Sequence, residues 1–199
     1  MGKRIELRLK LEQQRRNTRI AVVTGLGLIF LAVIFWMIFP RSDAGSTVGA
    51  DSLSTIPVAE VNYPAPELTL ENIKGTTESL ADFRDKVVLL NNWATWCPPC
   101  KAEMPTLVAF YNEHAKDGLM IIAVEAGEPK DLVQKFADQF QMPFSVWLDP
   151  DGKSLQAFRN GSLPNSYVID RTGTVRLAWT GEINRDMLEK YVTPLLVGN

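Results

Sequence analysis

The sequence predicts an α/β domain, and three observations carry that expectation. Residues 87–92 (VVLLNN) and 119–124 (LMIIAV) are short, nearly all-apolar runs of strand length. A helix-length segment with an apolar face separates them, which makes a βαβ unit. Further on, residues 166–170 and 174–180 read as two strands joined through Arg171-Thr172-Gly173, a hairpin, and a closing helix follows.

Each element has a local cause. A strand buried on both faces is apolar at every position, as residues 87–92 nearly are. The helix expected from Pro98 to about Lys116 spaces Met104, Leu107, Val108 and Tyr111 along one face. Pro105 falls inside it, where a missing N–H removes one backbone bond and bends the axis. Residues 130–140 form an amphipathic helix. Residues 144–148 form a strand closed by Asp149-Pro150-Asp151-Gly152, a composition suited to a turn. The last helix spans residues 185–196, with Asn184 placed to cap it. There is no internal repeat.

Bulk composition excludes several functions. The chain has 199 residues and a formal net charge of -2, which conceals an asymmetry. Residues 1–19 carry seven Lys/Arg against Glu6 and Glu12, and residues 20–40 carry no charge. The remainder holds 14 basic and 21 acidic residues, a net of -7. Such an acidic domain lacks the clustered cations that nucleic-acid binding requires. The two cysteines sit in one C-x-x-C, and His114 is the single histidine. That inventory supports neither a disulfide framework nor a four-ligand structural metal site, and no cofactor is expected.

Residues 20–39 (IAVVTGLGLIFLAVIFWMIF) are twenty uncharged residues. As a helix they extend roughly 30 Å, the thickness of a bilayer core. Basic residues before the span place residues 1–19 in the cytoplasm and the rest across the membrane. A cleaved signal peptide is the alternative, with small residues at 42–45. Its apolar region would be shorter and would not end in Trp36, Phe39, Pro40 and Arg41. Residues 41–65, rich in Ser, Gly, Ala and Pro, have the composition of a tether. The expected organisation is a cytoplasmic segment 1–19, an anchor 20–39, a linker 40–59 and a domain 60–199.

The chemistry is expected in Trp93-Ala94-Thr95-Trp96-Cys97-Pro98-Pro99-Cys100-Lys101, between a buried strand and a helix. Cys97 falls at the N-cap and Pro98 at the first helical position. One turn brings Cys100 within bridging distance of Cys97. Positive partial charge at a helix N-terminus favours the thiolate, the attacking species in disulfide exchange. A purely structural bridge here closes a tiny loop and stabilises little. Pro98 and Pro99 lack N–H groups, so Cys100 supplies the first backbone donor able to reach the Cys97 sulfur. The expected lowering of the Cys97 pKa is modest, nearer the value of about 7 in thioredoxin than about 3.5 in DsbA.

The stretch W-A-T-W-C-P-P-C-K, with Glu103, Pro105 and Leu163-Pro164, resembles the thioredoxin superfamily and, within it, the membrane-tethered TlpA/ResA/CcmG-like group. The resemblance covers roughly residues 60–199. It implies a thioredoxin-like fold with a central mixed sheet flanked by helices, preceded by one N-terminal transmembrane helix. It implies an extracytoplasmic enzyme in which Cys97 attacks a client's disulfide and Cys100 resolves the mixed disulfide. It implies a cis Leu163-Pro164 bond beside the cysteines, where an ordinary trans proline opening a strand is the alternative. Asn165 follows where the family often has Thr. Glu103 is implied as an acid that tunes the cysteines, the alternative being a solvated helix carboxylate. Asn91 stands six residues before Cys97, where ordinary thioredoxins carry a buried Asp. Asn cannot titrate, which leaves Glu103 or water to accept the Cys100 proton.

Trp96 is expected to flank the docking surface, while Trp93, Trp147 and Trp179 are expected in or near the core. Lys101 is expected to be solvated and His114 to lie at a helix boundary. The implied partners are a disulfide-bearing protein client, apocytochrome c among them, and a membrane thiol donor of electrons. Two alternatives remain: a thiol oxidant, and a copper-delivery or assembly factor using the same thiols.

Overall fold

The computed structural model describes residues 57–198. The expected cytoplasmic segment, the span at 20–39 and most of the linker lie outside the described residues. Among the described residues, no helix is long and apolar enough to cross a membrane.

The described residues form one eight-stranded mixed sheet. Its strands in chain order are β1 (Ala59–Pro64), β2 (Thr69–Asn72), β3 (Thr77–Ser79), β4 (Val87–Trp93), β5 (Leu119–Glu125), β6 (Ser145–Leu148), β7 (Asn165–Ile169) and β8 (Thr174–Thr180). Across the sheet they run β1-β8-β7-β4-β5-β6-β2-β3. β4 pairs in parallel with β5, and β5 with β6. β4 and β7 are antiparallel, as are β7 and β8.

Both parallel connections are helical, as parallel neighbours require. Helix α1 (Pro98–His114) links β4 to β5, and α2 (Lys130–Gln139) links β5 to β6. A short helix α3 (Lys153–Ala157) precedes β7. The closing helix α4 is built from Arg185–Met187, a wide π-helical stretch Leu188–Val192, and Thr193–Val197. Pro194 lacks an N–H and cannot continue a regular ladder through this stretch.

Strand β4 is buried at every position, and its side chains alternate between two cores. Val87, Leu89 and Trp93 join Met104, Leu107 and Phe110 of α1, Phe136 of α2 and Leu188 of α4. Val88 and Leu90 join Leu68, Leu70, Leu80, Trp147, Phe158 and Tyr167 on the other face. Each fully buried Leu, Met or Phe contributes about 1.5–3 kcal/mol from transfer alone. The buried face of α1 (Cys100, Glu103, Met104, Leu107, Phe110) follows a three- and four-residue spacing. After α1 a 3-10 turn, Ala115–Asp117, ends at Gly118 in the left-handed region (φ 92°), which turns the chain into β5.

The expected βαβ unit, hairpin and closing helix are all present, with ends shifted by one or two residues. The tether composition read over residues 41–65 is corrected at its end, because Ala59–Pro64 is a strand. It is an edge strand, exposed along most of its length, and so needs no apolar pattern. β2 and β3 were also invisible in the pattern, being only four and three residues long. Glu78 of β3 holds them to the sheet. It accepts hydrogen bonds from Asn72 Nδ2, Ser145 Oγ and Trp147 Nε1, each at 2.6 Å.

Candidate active site

Trp93 ends β4, and four residues later the chain enters α1. Cys97 is the N-cap of α1, in an extended conformation (φ -86°, ψ 112°), with the two prolines behind it. Its Sγ accepts the Cys100 N–H at 3.3 Å, the one backbone donor left to it by Pro98 and Pro99. Cys97 and Cys100 are joined as a disulfide. Both cysteines are buried, Cys97 at 3% exposure and Cys100 at 0%, so Cys97 is the more accessible residue of the pair. Trp96 is 65% exposed. It is a large apolar side chain left open to solvent, adjacent in the chain to Cys97. Lys101 is exposed, as expected, while Trp93, Trp147 and Trp179 are buried.

The Leu163–Pro164 bond is cis. Asn92 pairs in register with Asn165, which puts Pro164 at the end of β4 from which the cysteine loop departs. Side chains reinforce that register. Asn92 Nδ2 donates to Asn165 Oδ1 at 2.8 Å, and Asn165 Nδ2 donates to the Ser162 carbonyl at 2.5 Å. Asn165 therefore ties its own loop to the strand that carries the cysteines.

Glu103 is not a solvated helix carboxylate. It is fully buried, three residues beyond Cys100 on α1. Oε1 accepts Asn91 Nδ2 at 2.8 Å, and Oε2 accepts the Ile183 N–H at 2.9 Å. Asn91 Nδ2 also donates to Ser166 Oγ at 3.0 Å. Burial raises the Glu103 pKa to about 8, against the lowering effect of the Ile183 and Asn91 hydrogen bonds. A carboxyl with that value exchanges a proton near neutral pH, where thiols also titrate.

A second buried carboxyl stands behind the cysteine loop, and sequence reasoning missed it. Glu125 ends β5 opposite Trp93, and its Oε2 accepts the N–H groups of Gly127 and Glu128 at 3.1 and 2.9 Å. Glu128 accepts both Thr95 N–H at 2.6 Å and Thr95 Oγ1 at 2.5 Å. Nothing in the spacing of Thr95, Glu125 and Glu128 announces this, since 33 residues separate Thr95 from Glu128.

His114 lies at the far end of α1 from Cys97, roughly 25 Å along the helix axis. It is half-buried against Phe110, with Nδ1 3.0 Å from Asp117. Its neighbours Glu113 and Glu189 are both engaged by Arg185. The histidine and the cysteines are not brought together.

Comparison with known proteins agrees with this geometry. Residues 61–178 match the model of the AhpC/TSA family. The thiol-disulfide oxidoreductase ResA of Geobacillus kaustophilus (strain HTA426) is 34% identical over 178 residues, covering 89% of this chain and 97% of the relative. ResA of Bacillus subtilis (strain 168) is 30% identical over 184 residues, covering 92% of this chain and 97% of the relative. Among solved structures, the thioredoxin domain of a thiol-disulfide oxidoreductase from Bacteroides vulgatus has a TM-score of 0.61 at 25% identity, over 69% of this chain and 98% of that one. A secreted thiol-disulfide isomerase from Corynebacterium glutamicum has a TM-score of 0.66 at 20% identity, over 74% and 96% of the two chains, a likeness of fold. The chain belongs to the AhpC/TSA family and is a thiol–disulfide oxidoreductase of thioredoxin-like fold, with a C-x-x-C pair, of the kind that acts on disulfide-bearing proteins.

Proposed function

We propose that this enzyme reduces protein disulfides on the extracytoplasmic side of a membrane, anchored there through residues 20–39. The observation that carries the reading is a Cys97–Cys100 pair at a helix N-terminus, with one N–H on the Cys97 sulfur and a buried acid, Glu103, three residues past Cys100 on the same helix. One donor and a helix terminus stabilise a thiolate modestly, which suits a reductant. The uncharged span with basic residues before it supports the anchor and its orientation.

In this reading the reduced enzyme attacks a client disulfide through the Cys97 thiolate. One client S–S bond breaks, a mixed disulfide forms, and the client's leaving sulfur takes a proton. Cys100 then passes its proton to Glu103 and attacks Cys97. The Cys97–Cys100 bond forms as the bond from Cys97 to the client breaks. The second client sulfur leaves as a thiolate and takes a proton from Glu103 or solvent, and the client departs with two thiols and two electrons. Asn91 holds the Glu103 carboxyl in place. Trp96 and the Leu163–Pro164 loop flank the surface on which the client lies. The clients are exported proteins, apocytochrome c with its haem-binding C-x-x-C among them. A membrane thiol carrier restores the dithiol, because the outer compartment is oxidising.

The test is the reduction potential of the full chain in detergent, equilibrated against dithiothreitol or glutathione. A value near thioredoxin's, about −270 mV, or lower supports the reductase. A value near DsbA's, about −120 mV, reverses the direction of flux. Capture of exported proteins as mixed disulfides by Cys100→Ala then identifies the clients.

A further inference from the structure

The Glu125–Glu128 pair touches neither cysteine, yet it is wired to the loop that presents Cys97. Glu125 is fully buried at the end of β5. Its backbone is fixed on both sides, paired with Trp93 of β4 and Leu148 of β6, and its carbonyl accepts the Asp149 N–H. Its Oε2 takes two N–H groups from the turn that follows. Its Oε1 is buried with no donor among the described residues. An ionised carboxylate with one bare oxygen is costly in such a place, whereas a protonated carboxyl places an O–H there, a donor in need of an acceptor.

That acceptor is at hand. The Glu128 N–H donates to Glu125 Oε2 at 2.9 Å, and the Glu128 carboxyl adjoins that of Glu125 closely enough to raise its pKa. Glu128 accepts two donors from Thr95, N–H and Oγ1–H, an arrangement its carboxylate form receives most strongly. One proton between two carboxyls satisfies every atom of the set. Two carboxylates would leave a buried anion beside another.

We propose that Glu125 and Glu128 share one proton, and that this proton sets the position of the Thr95–Cys97 loop. With it, Glu128 is held against Thr95 and the loop is pinned. When it leaves to solvent, two adjacent anions repel. Glu125 is locked by its strand, so half-buried Glu128 swings outward and releases Thr95. Trp96 and Cys97, the next two residues, then lose their fixed presentation to a client. These are positioning residues, acting on the reaction only through Thr95.

The electrostatics agree. Burial, the Glu128 hydrogen bond and the Glu128 charge raise the Glu125 pKa to about 7, against the lowering effect of the two backbone N–H groups. The strand neighbours Trp93 and Leu148 are uncharged. The Asp149 carboxyl of the next loop is turned to the N–H groups of Lys153 and Ser154 at 2.8 Å. Glu128 is the charged side chain whose field acts on Glu125.

The experiment is a pH titration of Trp96 fluorescence in the full chain, taken as the difference from Trp96→Phe. It uses the disulfide form, where neither cysteine titrates. A step near pH 7 that disappears in Glu125→Gln is expected, since the amide keeps a donor for Glu128 and cannot ionise. In Glu128→Gln the Trp96 step disappears as well, while infrared spectroscopy still shows Glu125 losing its proton. In the reduced enzyme, the rate of attack on a small aromatic disulfide, relative to Glu125→Gln, falls about fivefold from pH 6 to pH 8.5. That matches the net ~1 kcal/mol of one hydrogen bond. A Trp96 step unchanged in Glu125→Gln, or no step in the wild type, overturns the proposal. The inference rests on Cys97 as the attacking sulfur only in the rate measurement. The fluorescence titration fails or succeeds independently of that role.

Discussion

Asn91 and Glu103 are joined by a hydrogen bond of 2.8 Å between fully buried side chains, one on the central strand and one on the active-site helix. The contact ties the orientation of α1 to the sheet through a group able to carry a proton. Asn91 cannot titrate, so the ionisable group at this position belongs to the helix.

In the proposed mechanism Glu103, with a pKa raised to about 8, accepts the Cys100 proton during resolution. Glu103→Gln keeps the shape and removes the base. Resolution of a Cys97 mixed disulfide at pH 8 is expected to slow by about tenfold or more, the low end of general-base effects. The inflection near pH 8 should vanish from its rate profile. Stopped-flow release of a fluorescent thiol from a preformed mixed disulfide measures it, and an unchanged profile rules Glu103 out as the base.

Stability should fall as pH rises through neutrality. Glu103 and Glu125 have folded pKa values of about 8 and about 7, both above the ordinary 4.5. Between 4.5 and those values the folded state holds protons that the unfolded chain has released. Each group therefore opposes folding increasingly with pH over that window, and fully above its folded pKa. The cost is on the order of a few kcal/mol for the two together. Thermal unfolding of the disulfide form at pH 5 and pH 8.5 reads it, and Glu103→Gln with Glu125→Gln should flatten the dependence. A midpoint that rises across this interval contradicts the assignment.

Arg171 is expected to matter for stability and not for chemistry. Its guanidinium donates to the carbonyls of Leu195 and Leu196 at 2.9 Å, Gly198 at 3.1 Å and Asp117 at 3.4 Å. It thereby gathers the end of α4 and the turn after α1 at one point. Arg171→Ala leaves those carbonyls short of donors and should cost about 2–3 kcal/mol in urea unfolding. Arg171→Lys should restore little, since a single ammonium cannot reproduce the planar fork. The thiol-exchange rate should stay at the wild-type value.

Trp96 should behave in the opposite way. It is largely exposed, so Trp96→Ala should change stability by less than about 0.5 kcal/mol. Capture of protein clients in a Cys100→Ala background should drop, while exchange with dithiothreitol, which needs no docking surface, should hold. Equal loss of both would move Trp96 from the docking surface into the redox centre itself.

The sequence by itself determined the parts of this protein that depend on near neighbours. Strand β4 was legible because burial on both faces leaves no polar position until Asn91. Cys97 as an N-cap, Pro98 behind it and Cys100 one turn on are all fixed by helix geometry within four residues. Only the tertiary structure decided the rest. Glu103 reads as an ordinary helix acid until Ile183, 80 residues away, supplies an N–H and the packed core removes its water. Glu125 and Glu128 became partners of the cysteine loop only when β5 laid its end beside β4. The edge strands β1, β2 and β3, short or exposed, carry no apolar period to read, and pairing with strands distant in the chain gives them their form. Backbone dihedrals and caps are local energies. Desolvation, which makes a carboxyl into a proton carrier, depends on every group that closes around it.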